Sequence, residues 1–333
     1  GRADWNDCLN LNCFSSNPNE SFQTTENSQG GVAESVFIAA MFILYGGQYA
    51  DLCRRLDDPG EASRAEQEVA NMVIAVEKHG WDGEWFVRYF DEQGLPIGSH
   101  KNEQGQIYTN GQSWPVISGF ATQERATQAL DSVYNKLNTA NGIKLSTPGY
   151  NGFDPAKGGV TTYPPGAKEN GGIFLHSNPW VMMAETIAGN GDRAFEYYNQ
   201  INPAFHNDNL DVFQSEPYCY PQNILGKEHK QFGMGRNAWL SGTSSWTYVA
   251  GTQYILGIKP GLKGLEIDPC IPKAWPEYSV RRRYRGATYN IKVSNPKGVS
   301  KGVASITLNG KAIEGQVLPI MAEGEHQVEV VLG

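Results

Sequence analysis

The chain has 333 residues, with 27 Lys and Arg against 35 Asp and Glu and a formal net charge of −8. That balance argues against a broad attraction to nucleic acid or to an anionic membrane surface. At 40% hydrophobic and 19% charged residues the chain is not disordered, and its length suits two domains or one large one.

The opening residues, 1–31, are polar and loop-like, with Trp5, Asp7 and Cys8 standing out. Val32 to Arg55 is predicted as a helix that is apolar almost all round, and so buried on most sides. Its longest apolar run, Val36 to Tyr45, is about half of a membrane span, so no transmembrane segment is predicted. Pro59-Gly60 breaks the pattern, and Glu61 to His79 follows as a one-faced helix, giving a helical hairpin. Trp81 to Ile97 alternates and carries turn residues, which predicts a β-hairpin. Gly111 to Phe120 with Thr122 to Asn138 reads as a second helical pair, and Pro179 to Gly189 with Asp192 to Ile201 as a third. Asn237 to Leu256 reads as a last helix. The long connections 139–175 and 202–235 are rich in Gly, Pro, amides and aromatics, and loops of that length in a compact domain are usually functional.

Helical hairpins joined by long loops are the pattern of an (α/α) toroid. About seven helices are visible where such barrels want about twelve, so the expected fold is the second half of an (α/α)6 toroid over residues 1–257. From Gly257 onward the helical period disappears. Alternating stretches at 278–284, 287–293, 303–308, 311–313 and 326–332, with Asn309-Gly310 as a tight-turn signal, predict a small antiparallel β-sandwich over residues 258–333. Arg281 to Arg283 with Arg285 would place two arginines on one solvated strand face.

The five cysteines, Cys8, Cys13, Cys53, Cys219 and Cys270, have spacings that match neither a metal pattern nor a disulfide framework. Reduced thiols and a cytoplasmic location are therefore expected, with no metal site. The start at Gly1-Arg2-Ala3-Asp4 carries no signal-peptide pattern and reads as the middle of a longer polypeptide.

Three segments carry candidate chemistry. In Ala3-Asp4-Trp5-Asn6-Asp7-Cys8 an indole stands between two carboxylates. A pyranose can stack on the ring while a carboxylate handles its oxygens, and the ring can desolvate the acid and raise its pKa. A polar loop with a helix-capping Asp would look the same. The second runs from Thr161 to His176 through Glu169 and Gly171-Gly172. The glycines let the backbone approach a ligand, and a His just before a helix can meet an anion, although a lone His is commonly structural. The third, Trp239 to Trp246, surrounds Gly242 with hydroxyls that could cradle an oxyanion. Without a Lys it is not a P-loop, and by itself it also fits a serine-rich helix start.

Taken together, ADWNDCLN, TYPPGAKENGGIF with the following His176, the PQN of Pro221 to Asn223, and Trp239-Leu240-Ser241-Gly242-Thr243 resemble the cellobiose phosphorylase family. These are inverting phosphorylases of β-linked glucosides, with relatives for chitobiose, laminaribiose, cellobionic acid and cellodextrins. The resemblance covers essentially the whole chain, as the C-terminal two-fifths of such an enzyme. It implies Asp7 as general acid, and His176, Ser241, Gly242 and Thr243 as the phosphate-binding set. It also implies Trp5, Glu169 and Gln222 beside the sugars. Inorganic phosphate would be a substrate and no cofactor is implied. A homodimer is expected, as is a need for the N-terminal part of the enzyme, including an Arg for phosphate. Cellobiose is the first substrate expected, because the opening segment resembles the cellobiose enzymes. Pro217 to Gly226 resembles instead the chitobiose or cellobionic acid branches. Two other readings stand beside this one. An inverting hydrolase would use Glu169, or Asp154 behind it, to activate water. A carbohydrate-binding scaffold would use Trp5, Trp180 and Trp239 only for stacking.

Overall fold

The first helix, α1 (Val36–Arg55), begins where Ser35 caps it, its hydroxyl accepting the Ile38 N–H at 3.2 Å. This computed structural model describes residues 4–6, 34–91, 94–154 and 157–333, so Asp7, Cys8 and Cys13 lie outside the described residues. Asp58 caps α2 (Pro59–His79) in the same way, with Pro59 in the first turn. The two helices pack as a hairpin, as the sequence predicts. Val36, Phe37, Ala39, Ala40 and Ile43 are buried in α1, whereas Phe42, Tyr45, Tyr49 and Leu52 form an exposed apolar stripe along it. By length and composition α1 is long enough to cross a membrane, where the apolar run alone suggested half a span. One such helix is weak evidence of a span, and its hairpin partner α2 is a polar helix with an exposed charged face.

Within Trp81 to Ile97 the strands are short. Tyr89–Phe90 pairs with Pro96–Ile97 on one side and with Glu34–Ser35 on the other. α3 (Thr109–Ile117) is buried along its whole length. α4 (Gln123–Leu137), capped by Thr122, buries Ala126, Ala129, Leu130, Val133 and Leu137 on one face. Helices α5 (Asn178–Ala188) and α6 (Gly191–Ile201) occupy the segments read as the third pair. The long connection before α5 is not structureless. It holds strand pairs at Asn138–Thr139 with Gly142–Ile143 and at Ile107–Tyr108 with Ser146–Thr147. The buried Asn170 side chain staples it, donating to the carbonyls of Tyr150 (2.9 Å) and Tyr163 (2.7 Å) and accepting the Tyr150 N–H (2.6 Å).

The predicted last helix is corrected at its start. Gly235–Ala238 is a strand paired with Pro221–Ile224, and Asn237 (φ 56°) and Trp239 (φ 70°) lie in the left-handed region that ends helical order. Helix α7 runs from Thr243 to Val249 and widens into a π-helical stretch at Ala250–Ile255. The fold is thus mixed helix and sheet.

The chain divides into two compact units, residues 1–181 with 201–243, and residues 182–200 with 244–333. In the second, Glu277–Tyr284, Ala287–Ser294, Glu325–Leu332, Val303–Leu308 and Lys311–Ala312 form one sheet in that spatial order. Ile258–Pro260, Leu265–Ile267 and Val317–Leu318 form another. Their shared core includes Ile267, Tyr289, Ile291, Val293, Ile306, Val328 and Val330, joined by Ala194 and Ile255 from the helical segments. Asn309 and Gly310 both take positive φ, as a tight hairpin turn requires. The sheet departs from the expected antiparallel order at one place. Glu325–Leu332 inserts beside Ala287–Ser294 in parallel, a long-range pairing, and the Asn309-Gly310 hairpin has a second strand of only two residues.

Candidate functional site

A three-stranded sheet carries the candidate residues together. Ile173–Phe174 pairs with Pro221–Ile224, which pairs in turn with Gly235–Ala238. The first strand delivers His176, the second Gln222, and the third leads into Leu240, Ser241 and Gly242. Gly172 permits the approach, since a Cβ there would sit 2.6 Å from the Lys168 backbone. These elements enclose a cavity of about 400 Å³ lined by Trp5, Glu169, Phe174, His176, Gln222, Leu240, Ser241 and Gly242.

Among the candidates, Trp5, Glu169, His176, Gln222, Ser241 and Gly242 line this one cavity. Thr243 is fully buried at its edge, its N–H donating to Ser241 Oγ at 3.0 Å and its hydroxyl touching that of Ser241. Asp7 lies outside the described residues, one peptide bond beyond Asn6. Three further candidates do not line the cavity. Asp154 pairs with Lys157 and does not line the cavity. Trp180 is buried, so it is a wall-packing residue rather than an open stacking surface. Trp239 is exposed, its indole N–H donating to Glu216 at 3.0 Å.

Trp5 packs edge-on against Phe174 (5.2 Å), His176 (5.1 Å) and Trp180 (5.0 Å), so its indole is held by aromatic contacts on several sides. Burial among these rings pushes the His176 imidazole below its ordinary pKa. It is therefore neutral near pH 7 and can donate one N–H to an anion. Gly242 lies against its ring, where an added Cβ would fall 2.8 Å from His176 Cε1. Gln222 Oε1 accepts from Asn237 Nδ2 at 3.1 Å, which leaves the Gln222 amide N–H groups as donors. Glu169 Oε2 accepts from Asn6 Nδ2 at 3.2 Å.

Sequence reasoning missed the group beneath this wall. Arg88 is fully buried and pairs with Asp4, whose side chain is 2% exposed. The arginine also reaches Ser35 (3.0 Å) and Asn6 (2.8 Å). The available signal was a single cation in the otherwise apolar stretch Trp85-Phe86-Val87-Arg88-Tyr89-Phe90, since buried charges are paired.

Over residues 1–257 the chain matches the catalytic domain of the glycosyl hydrolase 94 superfamily. Over residues 263–325 it matches the C-terminal domain of glycosyl hydrolase family 65. It is 40% identical to an N,N'-diacetylchitobiose phosphorylase of Vibrio proteolyticus across all of this chain and 39% of that protein. It is 35% identical to a solabiose phosphorylase of Paenibacillus borealis across 98% of this chain and 41% of that protein. The chain thus spans about two-fifths of the length of these curated relatives. A solved structure described as a sialidase is similar in fold alone, with a TM-score of 0.53 at 11% identity over 74% of this chain and 22% of that one. The match across residues 1–257, more than three-quarters of the chain, shows that it belongs to the glycosyl hydrolase 94 superfamily.

Proposed function

We propose that this protein takes part in inverting phosphorolysis of a β-linked disaccharide, giving an α-sugar 1-phosphate and a free sugar. The observation that carries the reading is the single cavity shared by two kinds of residue. Trp5, Glu169 and Gln222 suit sugar faces and hydroxyls, while His176, Ser241 and Gly242 suit an oxyanion. In this reading Asp7 gives its proton to the glycosidic oxygen as the bond to the anomeric carbon breaks. A phosphate oxygen forms the new bond from the opposite face, which inverts that centre. Phosphate arrives as an anion, so no carboxylate is needed to activate a nucleophile, as an inverting hydrolase would need. Ser241 and neutral His176 donate hydrogen bonds to it, with Thr243 behind Ser241 holding its hydroxyl in place, and no cofactor takes part.

Cellobiose and N,N'-diacetylchitobiose are the substrates to test side by side. The opening segment supports the first, and 40% identity to a chitobiose phosphorylase supports the second. The same reading makes residues 1–257 the second half of an (α/α)6 toroid, followed by a β-sandwich. It assigns the rest of the phosphate site to a part of the enzyme upstream. The exposed stripe of Phe42, Tyr45, Tyr49 and Leu52 supports a partner surface of that kind. A cytoplasmic homodimer belongs to the same proposal. The described cysteines, Cys53, Cys219 and Cys270, are free and buried, which suits a reducing compartment.

His176→Ala in the full-length enzyme tests the anion assignment. The KM for phosphate is expected to rise by about tenfold or more, the value of one hydrogen bond to a charged group, with a much smaller change in the disaccharide KM. An unchanged phosphate KM removes His176 from the phosphate site. Gly242→Ala is expected to act in the same direction, because its methyl would displace the His176 ring from 2.8 Å. Steady-state kinetics at varied phosphate measures both.

A further inference from the structure

We infer that Arg88 is a positioning residue for the sugar-facing wall of the cavity, acting through Asn6 on Glu169; the inference rests on the reading of that cavity as a disaccharide site. Arg88 is fully buried between two stretches of chain that are distant in sequence. One guanidinium nitrogen donates to Asp4 Oδ2 (2.8 Å) and Ser35 Oγ (3.0 Å), and the other to Asp4 Oδ1 and to Asn6 Oδ1 (2.8 Å). Ser35 closes the ring by donating to Asp4 Oδ2 at 2.5 Å. The backbone of Arg88 is fixed as well, through Ile97 and Val36, and its guanidinium lies 5.2 Å over the Phe37 ring.

The chemistry of these groups gives the arrangement a direction. A guanidinium offers only donors, so the Asn6 amide must turn its oxygen toward Arg88. Asn110 Nδ2 reaches the same oxygen at 3.3 Å. The NH2 of Asn6 is then left facing Glu169, where it donates to Oε2 at 3.2 Å. Arg88 therefore dictates which face of Asn6 meets Glu169, and so how that carboxylate is held in the cavity wall. Trp5, between the two clamped residues Asp4 and Asn6, is placed by the same anchor. Lysine carries the charge but not the planar fork that serves Asp4 and Asn6 together.

Two variants of the full-length enzyme separate positioning from folding. Arg88→Lys keeps the buried cation and loses the fork. Asn6→Asp keeps an acceptor for Arg88 and removes the donor to Glu169. Both are expected to raise the disaccharide KM by tenfold or more while the phosphate KM stays within twofold, with Asn6→Asp melting close to wild type. Cellobiose and N,N'-diacetylchitobiose serve as probes. A disaccharide KM in Asn6→Asp within twofold of wild type would overturn the inference. So would an Arg88→Lys enzyme that loses folded protein but keeps both KM values. Absence of phosphate-dependent turnover in the wild type would overturn the reading of the cavity itself, and the inference with it.

Discussion

Asp7→Asn is expected to lower the rate of disaccharide phosphorolysis by about 10²–10⁴-fold, the usual contribution of a positioned proton donor. Asparagine has nearly the shape of aspartic acid but no proton to give at the pH of the reaction, so binding of both substrates should change little. The loss should fall on kcat, because the proton is needed as the glycosidic bond breaks and not before. A glucoside with a good leaving group needs little protonation, so the variant should recover most of its activity on such a substrate. The comparison therefore distinguishes a missing acid from a damaged site. Turnover of the natural disaccharide within tenfold of wild type would remove Asp7 from the acid role.

The second large effect is on stability. Asp4→Asn leaves the Arg88 guanidinium fully buried and without its counter-charge, and breaking one side of a buried ion pair costs about 3–5 kcal/mol. The pair has almost no access to water, at 0% and 2% side-chain exposure, so solvent cannot substitute for the lost carboxylate. Ser35 and Asn6 would still accept from the cation, but as neutral groups. Adding Arg88→Met to Asp4→Asn removes the orphaned charge and should recover part of the loss. Urea unfolding of the wild type, both single variants and the double variant measures this coupling. A loss below about 1 kcal/mol in Asp4→Asn would mean that the pair contributes as little as an exposed one.

Much of the helical organisation is legible in the sequence because its determinants are local. The face of α4 repeats at helical spacing through Ala126, Ala129, Leu130, Val133 and Leu137, and its start is announced by Thr122. The strand Glu325–Leu332 is legible by its alternation, but its parallel partner is not, because nothing within the segment specifies a neighbour some forty residues away. The stretch before α7 misleads for a different reason. Asn237 and Trp239 carry no glycine to mark the left-handed backbone that ends the helical reading.

The cavity residues were legible as motifs and not as a site. Asn6 and Glu169 are 163 positions apart, and only the fold brings them to 3.2 Å. Trp180 shows the limit of residue type as a guide. An aromatic that could have stacked on sugar instead packs beneath Trp5 and His176. Arg88 was hidden because its partners, Asp4, Ser35 and Asn6, come from two other segments. A buried cation in an apolar run indicates that an acceptor exists but not where it lies.

The most direct measurement is the breakdown of cellobiose and of N,N'-diacetylchitobiose by the full-length enzyme, with and without inorganic phosphate, following free sugar and sugar 1-phosphate. The expected result is release that depends strictly on phosphate, with the sugar 1-phosphate formed as the α-anomer in step with the free sugar. Release of free sugars without phosphate would contradict phosphorolysis and assign the activation of water to a carboxylate of this cavity, Glu169 first.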